Sequence, residues 1–222
     1  MVVLFMVLTI ILFVTVDYFI QRKKKIGLAA QPQLNKLSLS KIFHMLPTGV
    51  FLQPSFTWSK ILDSGNLIVG IHPVLMGLIG EPDEIQMLHQ SEEVRKGDTL
   101  LKLRKGNKVL NVKSPVDGKI SGLNEQILED ATWENISQNW LYSLKPRNVA
   151  SEIPSWFIAE KSQNWVNEKY QQIKAFFMNT MPQTEMGITM ADGGDIPVGI
   201  LSQFDEKTWQ KFEKEFIAIS EN

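Results

Sequence analysis

The side chains with the clearest chemical potential are two lysines, Lys105 and Lys108, which flank Gly106-Asn107 between two segments of alternating polarity. Gly-Asn between alternating segments predicts a β-hairpin with a two-residue turn. A lysine amine near such a tip would be exposed to a modifying enzyme. This hairpin is therefore the first candidate for a functional site.

No other set of reactive side chains has the spacing of a catalytic or metal site. The chain has no cysteine, which excludes disulfides, cysteine-ligated metals and a cysteine nucleophile. Residues 192–195 offer too few oxygen ligands for a calcium loop and are expected to form a turn. The remaining candidates are separated histidines and two pairs of adjacent, solvated acids: His44, His72, His89, Asp83-Glu84 and Glu92-Glu93. We therefore expect a protein that is not an enzyme and has no metal site.

The hairpin lies within residues 47–148, a region whose apolar pattern predicts mostly β structure. Its strands are short and are separated by regular turns, which is typical of a sandwich or a small barrel. Short helices are expected at residues 73–79 and 124–130. The segments predicted as strands include 67–71, 100–103, 109–112, 119–120 and 140–144.

Residues 149–222 predict a C-terminal helical extension with a short hairpin. Apolar residues recur at helical spacing from 156 to 178. Residues 186–190 and 196–201 are expected to pair, and a last helix is expected to begin near Asp205, a good N-cap. The aromatic side chains are expected to pack on the β domain, unless an exposed cluster forms a docking face. They are Trp156, Trp165, Phe176, Phe177, Trp209, Phe212 and Phe216.

Residues 1–25 have the pattern of a transmembrane anchor with a basic flank. Residues 1–16 carry no charge and the apolar character continues to Ile20. Twenty helical residues span about 30 Å, the thickness of a hydrocarbon core. A cleaved signal peptide would have its basic residues before the apolar run, whereas here they follow it. They are Arg22, Lys23, Lys24 and Lys25. The positive-inside rule then predicts a single-pass protein, with a stalk at residues 26–46 and its soluble part in the cytoplasm. A short amphipathic helix is expected at residues 38–46, and the sequence permits it either to lie on the membrane or to pack on the body of the protein.

Composition and charge exclude several further classes. The 222 residues are 44% hydrophobic and 21% charged, which excludes a wholly disordered chain. Without the four residues of the basic flank and without Asp17, residues 26–222 contain 19 basic and 23 acidic residues, a net charge of −4. An acidic body is a poor electrostatic match for nucleic acid. The expected partners are therefore the lipid bilayer and proteins at its cytoplasmic face.

Several short segments between residues 47 and 148 occur in an order and spacing that resemble a known family. They are Pro47-Thr48-Gly49-Val50-Phe51-Leu52, Val69-Gly70-Ile71, Leu78-Ile79-Gly80, Val94-Arg95-Lys96-Gly97-Asp98-Thr99-Leu100, Ser114-Pro115-Val116-Asp117-Gly118 and Trp140-Leu141. Together they resemble the glycine cleavage system H protein family, a branch of the lipoyl/biotinyl-carrier folds. The resemblance implies a mainly β, carrier-like sandwich or barrel between the transmembrane helix and the C-terminal α/β extension.

The resemblance also implies where a lipoyl group would be attached. The family carries it on a lysine seven residues before the serine of its Ser-Pro-Val-x-Gly block, with an acid three residues before that lysine. Counted from Ser114, the lysine position is Asn107 and the acidic position is Arg104, so the chain departs from the pattern at both. Lys108 lies one residue later, and one step along a strand moves a side chain to the other face.

Two interpretations of the hairpin stay open. In the first, the tip residues Gly106 and Asn107 are only a turn, no cofactor is expected, and the domain is a binding or scaffold module of a membrane-associated assembly. In the second, Lys108 is lipoylated and the protein is a carrier in a glycine-cleavage-like or redox system. We expect the first, because a Gly-Asn turn is stable without an attached arm.

Overall fold

The computed structural model describes residues 38–129, 132–180 and 194–218. Within these ranges, strands dominate up to residue 146 and helices dominate after it. The strands are β1 (Phe51–Leu52), β2 (Thr57–Ile61), β3 (Leu67–Ile71), β4 (Glu84–Met87), β5 (Glu93–Val94), β6 (Thr99–Lys105), β7 (Lys108–Lys113), β8 (Gly118–Leu123) and β9 (Tyr142–Pro146). The α-helices are α1 (Leu39–Phe43), α2 (Pro73–Ile79), α3 (Glu125–Glu129), α4 (Trp133–Gln138), α5 (Glu160–Thr180) and α6 (Glu206–Phe212).

The strands form two antiparallel sheets. The larger has the order β1-β2-β3-β9-β8-β5 and the smaller has the order β4-β6-β7. The expectation of a mainly β fold with helices is therefore confirmed. Because β7 lies at the end of its sheet, one of its edges is left for another element to cover.

One tyrosine hydroxyl joins the two sheets. Tyr142 of β9 donates to the carbonyl oxygen of Leu100 at 2.7 Å and accepts from the N–H of Leu88 at 3.0 Å. Burial raises the pKa of this phenol well above its ordinary value, so it stays protonated and can act as the donor. This bridge fixes the smaller sheet, and hence its β6–β7 hairpin, against the larger one.

A glycine allows a tryptophan to lie flat across β2 and β3. Trp58 is directly opposite Gly70, and a Cβ atom at Gly70 would overlap the indole ring. The indole N–H donates to the carbonyl oxygen of Ile71 at 3.0 Å. The side chain is only 3% exposed, so it is part of the core of the larger sheet.

The short helix expected at residues 38–46 packs on the body of the protein. It forms α1, which begins after Ser38, whose side chain accepts a hydrogen bond from the N–H of Lys41. Leu39, Ile42 and Phe43 are fully buried. This finding decides between packing and lying on a membrane, the two positions that the sequence permits for this helix.

The C-terminal region is mainly helical. Helix α6 begins after Asp205, whose carboxylate accepts from the N–H of Thr208, so the predicted N-cap is confirmed. It continues as a π-helical turn over Glu213–Ile217. The aromatic residues expected to pack are all less than 9% exposed, which also leaves them unavailable as a docking face. They are Trp156, Trp165, Phe176, Phe177, Trp209, Phe212 and Phe216.

The predicted C-terminal hairpin differs from the structure. Ile200–Gln203 form a 3₁₀ turn rather than a strand, and the proposed partner strand at 186–190 lies outside the described residues. The reason is that Gly199, at φ +78°, donates its N–H to the carbonyl oxygen of Gly77 in α2. Ile200 and Leu201 are fully buried, so their apolar character reflects packing on the core instead of strand pairing.

The predicted membrane anchor and most of the stalk precede the described residues. In the part of the chain that the structure describes, no helix has the length and apolarity needed to cross a membrane.

Candidate functional site

The β6–β7 hairpin has the predicted two-residue turn. Lys105 and Lys108 form its last cross-strand pair, and Gly106 and Asn107 are the tip. Gly106 has φ +59°, a value that glycine adopts without strain and that a tight hairpin requires at its first central position. The prediction of this hairpin is therefore confirmed.

One side of the tip is fixed by an acid from the loop that joins α2 to β4. The Gly106 N–H donates to Asp83 Oδ2 at 2.7 Å, and Lys105 Nζ lies 3.2 Å from Asp83 Oδ1. Lys105 Nζ also donates to the carbonyl oxygen of Glu81 at 2.5 Å. The hydrogen bond from the Gly106 N–H holds the pKa of Asp83 below its usual range. Asp83 is thus not simply solvated, as the sequence suggested, but binds the turn.

The other side of the tip is fixed by the C-terminal region. Lys108 Nζ donates to the carbonyl oxygens of Ser202 and Phe204 at 2.6 and 2.7 Å. The same ammonium lies 5.5 Å from the ring centre of Trp209, whose own N–H donates to the carbonyl oxygen of Leu201 at 2.6 Å. The amine of Lys108 therefore has a structural use in the folded chain.

The positions that the resemblance assigns to lipoylation hold other chemistry. Asn107 is exposed at the tip and has a carboxamide, which cannot form the amide bond that a lysine amine forms. Arg104 is on β6 and pairs with Glu84 of β4 at 3.0 Å. This pair means that Glu84 is not simply solvated either.

A groove of about 450 Å³ runs beside the hairpin, within the size range of small-ligand sites. One wall is β7 and the other is α6 with the turn that follows it. Glu213 closes the middle of the β7 edge, because its carboxylate accepts from the N–H of Asn111 at 3.0 Å and from its amide nitrogen at 3.0 and 3.1 Å. The lining residues are Asn107, Val109, Asn111, Lys113, Glu206, Trp209, Gln210, Glu213, Lys214 and Ala218.

The groove has an acidic end and a basic end. The contacts of Lys108 with Trp209 and of Asn111 with Glu213 set α6 alongside β7 in the same direction. Glu206 therefore lies toward the hairpin tip, and Lys214 lies toward the far end of the strand. Sequence reasoning missed this groove, because its two walls are about a hundred residues apart.

The remaining candidate residues have structural roles. His72 is fully buried, its Nδ1 accepts from the N–H of Val74 at the start of α2, and burial lowers its pKa to about 3. His44 contacts the carbonyl oxygen of Ser40 and the side chain of Asn167. Within residues 38–129, 132–180 and 194–218, no three side chains of the metal-binding types come together.

The adjacent acids at 92–93 and the acid at 195 are also engaged. Glu92 accepts from the N–H of His89, and Glu93 pairs with Arg147 at 2.6 Å. Asp195 accepts from the Tyr170 hydroxyl at 2.5 Å and from the Ser40 hydroxyl at 2.9 Å, and so ties α1 to α5. Each of these three carboxylates thus has a partner within the protein.

Comparison with known proteins matches the part of the chain that contains the hairpin. Residues 51–173 match the family described as "Glycine cleavage H-protein". A "Probable glycine cleavage system H protein" of Thermococcus gammatolerans is 31% identical over 115 residues, which cover 50% of this chain and 85% of that protein. The protein of the same description from Thermococcus kodakarensis is 31% identical over 108 residues, which cover 47% and 80%.

A solved structure is also similar to this chain. It is the crystal structure of a glycine cleavage system H protein from Mycobacterium marinum, which is 20% identical and gives a TM-score of 0.45. The match covers 54% of this chain and 98% of that one.

The residues that hold Lys108 lie beyond the family match. The match ends at residue 173, whereas the contacts to Lys108 and Asn111 come from Ser202, Phe204, Trp209 and Glu213. The hairpin is thus within the matched region, and the elements that cover it are additional to that region.

Proposed function

This chain belongs to the glycine cleavage H-protein family, a family of lipoyl carriers rather than catalysts, and we propose that it is a non-lipoylated member. It acts as a binding module at the cytoplasmic face of a membrane. The hairpin that would present a lipoyl group in a carrier serves instead, together with the groove beside it, to bind a partner protein.

The observation that carries this proposal is the state of the amines around the tip. The tip residue is Asn107, and the amines of Lys105 and Lys108 are both hydrogen-bonded to backbone carbonyl oxygens. Hydrogen bonds to a charged group contribute about 1.5–3 kcal/mol each when buried. A ligase that modified Lys108 would have to break two of them and neutralise the charge that they compensate.

The groove supports the binding part of the proposal. Its lining extends along β7 from the tip residue Asn107 to Lys113, and its two ends have opposite charge. An extended peptide segment with a basic residue near Glu206 and an acidic residue near Lys214 would complement it.

The membrane part of the proposal is supported by the sequence alone. Residues 1–16 are uncharged and the apolar character continues to Ile20 with only Asp17 inside it. Together with the Arg22–Lys25 cluster that follows, this pattern fits a single span with a cytoplasmic basic flank. Membrane fractions of cells expressing the full chain should retain it after alkaline carbonate extraction, and a variant lacking residues 1–25 should be released. Release of the full chain would contradict the anchor and leave the lipoylation result unaffected.

Lipoylation is tested directly by intact-mass analysis. The purified chain is incubated with lipoate, ATP and a lipoate–protein ligase, beside Asn107→Lys, Arg104→Glu/Asn107→Lys and the control Asn107→Gln. We expect no adduct on the natural chain or on the control, and one lipoyl group on at least one lysine variant, because a free amine at the tip restores the family pattern.

The opposite result is equally clear. A lipoyl adduct on Lys108 of the natural chain, located by peptide mass spectrometry, would refute the non-lipoylated interpretation. It would support the alternative, a carrier in a glycine-cleavage-like or redox system.

A further inference from the structure

The outer face of β8 and β9 has two lysines directly opposite each other. Lys119 and Lys145 are a cross-strand pair, and both are exposed. In the described part of the chain, neither ammonium is in an ion pair. Like charges at directly opposite positions destabilise a sheet. The repulsion between the two ammoniums is therefore unfavourable in the protein alone, and an anion that lies between the two amines would relieve it.

Two serine hydroxyls lie at the next outward positions. Ser121 is the extra residue where the pairing of β8 with β9 shifts between Ile120 and Gly122, and such a bulge redirects a side chain. The Ser121 hydroxyl lies 2.9 Å from both the carbonyl oxygen and the hydroxyl oxygen of Ser143. Its proton is used within this pair, so the Ser143 hydroxyl is left to donate outward. The four side chains Lys119, Lys145, Ser121 and Ser143 are here called the anion square. The donors that it presents are the two ammoniums and the Ser143 hydroxyl.

The acids near the anion square are already engaged. Glu93 is opposite Lys119, but its carboxylate is 2.6 Å from Arg147. Asp117 precedes β8, and its carboxylate accepts from the N–H of Lys96 at 2.6 Å. Among the described residues, Lys119 and Lys145 therefore have no dedicated acidic partner. Residues 26–222 as a whole carry a net charge of −4.

We propose that the anion square binds the phosphate of an anionic lipid headgroup and so orients the β8–β9 face toward the bilayer. The inference rests on the proposed anchor. Seventeen residues separate Ile20 from Ser38 in the sequence. A tethered site needs little intrinsic affinity, because the anchor keeps the lipid concentration around it high. Each lysine near an anionic surface strengthens binding about fivefold.

The first test is amine footprinting of the full chain in nanodiscs. Acetylation of individual lysines by a brief pulse of reagent is measured by mass spectrometry in phosphatidylglycerol discs and in phosphatidylcholine discs. We expect acetylation of Lys119 and Lys145 to slow about fivefold or more in phosphatidylglycerol only. Lys102, an exposed lysine on β6 of the other sheet, is the internal control and should react equally in both.

The second test uses a fluorophore beside the anion square. The chain has no cysteine, so Gln90→Cys gives a single labelling site, and the Gln90 amide donates to the carbonyl oxygen of Ser121. An environment-sensitive dye there should shift to the blue in phosphatidylglycerol discs. The shift should disappear in Lys119→Glu/Lys145→Glu and persist in the matched control Lys102→Glu/Lys207→Glu, whose two lysines are exposed on β6 and α6, away from the larger sheet.

The outcomes separate this inference from the proposed anchor. Failure of the chain to co-elute with discs of either lipid would contradict the anchor. Co-elution without protection of Lys119 and Lys145 in phosphatidylglycerol would overturn the headgroup site and leave the anchor intact. Equal protection by inorganic phosphate in detergent, with none from phosphatidylglycerol, would overturn the lipid assignment in favour of a soluble phosphate ligand.

Discussion

Replacing Lys108 with methionine should destabilise the protein, because the ammonium holds the C-terminal region to the hairpin. Methionine keeps most of the aliphatic side chain but removes the hydrogen bonds to Ser202 and Phe204 and the cation above the Trp209 ring. Buried hydrogen bonds to a charged group contribute about 1.5–3 kcal/mol each. Lys108 is half-buried, so we expect a total loss of about 1–3 kcal/mol.

Urea unfolding followed by tryptophan fluorescence measures this loss, since Trp209 lies at the contact. For a protein of this size, a loss of about 2 kcal/mol in the free energy of unfolding corresponds to a fall in Tm of roughly 4–8 °C. Lys102→Met is the matched control, because Lys102 is an exposed lysine on the neighbouring strand β6. Its effect should stay within about 0.5 kcal/mol.

Equal stability of the two variants would refute the reasoning. It would mean that the Lys108 amine is not needed to hold residues 202–209 in place. The amine would then be available for modification, and the carrier interpretation of the hairpin would gain support.

Two further predictions concern the core. Gly70→Ala should lower the free energy of unfolding in urea by at least about 2 kcal/mol, because its Cβ would overlap the Trp58 ring. The control Gly122→Ala, with only an ordinary contact to Ser143, should lower it by less than about 1 kcal/mol. Equal losses in the two variants would contradict the packing described. Burial lowers the pKa of His72 from 6.5 to about 3, so below pH 6.5 the unfolded chain binds a proton that the folded chain does not. The unfolding free energy should therefore fall with decreasing pH by up to about 1.4 kcal/mol per unit through this window, and His72→Asn, which keeps an acceptor for the N–H at the start of α2, should reduce that slope.

Local signals in the sequence predicted the parts of the site that depend on local geometry. The Gly106-Asn107 turn follows from the residue types at the tip and the alternation of the flanking strands, and both act over a few residues. The helix at Pro73–Ile79 and the N-cap at Asp205 were predictable for the same reason.

The parts that sequence reasoning missed depend on distant contacts. The hydrogen bond from Lys108 to Ser202 joins residues 94 positions apart, and no local pattern marks either partner. The same limit explains the wrong strand at 196–201, where the N–H of Gly199 bonds to a helix carbonyl instead of a neighbouring strand. The position of α4 was missed as well, although Thr132 caps it by accepting from the N–H of Asn135.

The carboxylate of Glu213 has a consequence for how molecules of this protein behave when crowded. An uncovered terminal strand offers its amides as a template on which further chains can add, the first step toward fibrils. Glu213 occupies the central amide of β7, at Asn111, and α6 shields the strand on that side. Many copies at high concentration would therefore be protected from growing into amyloid-like stacks through this strand.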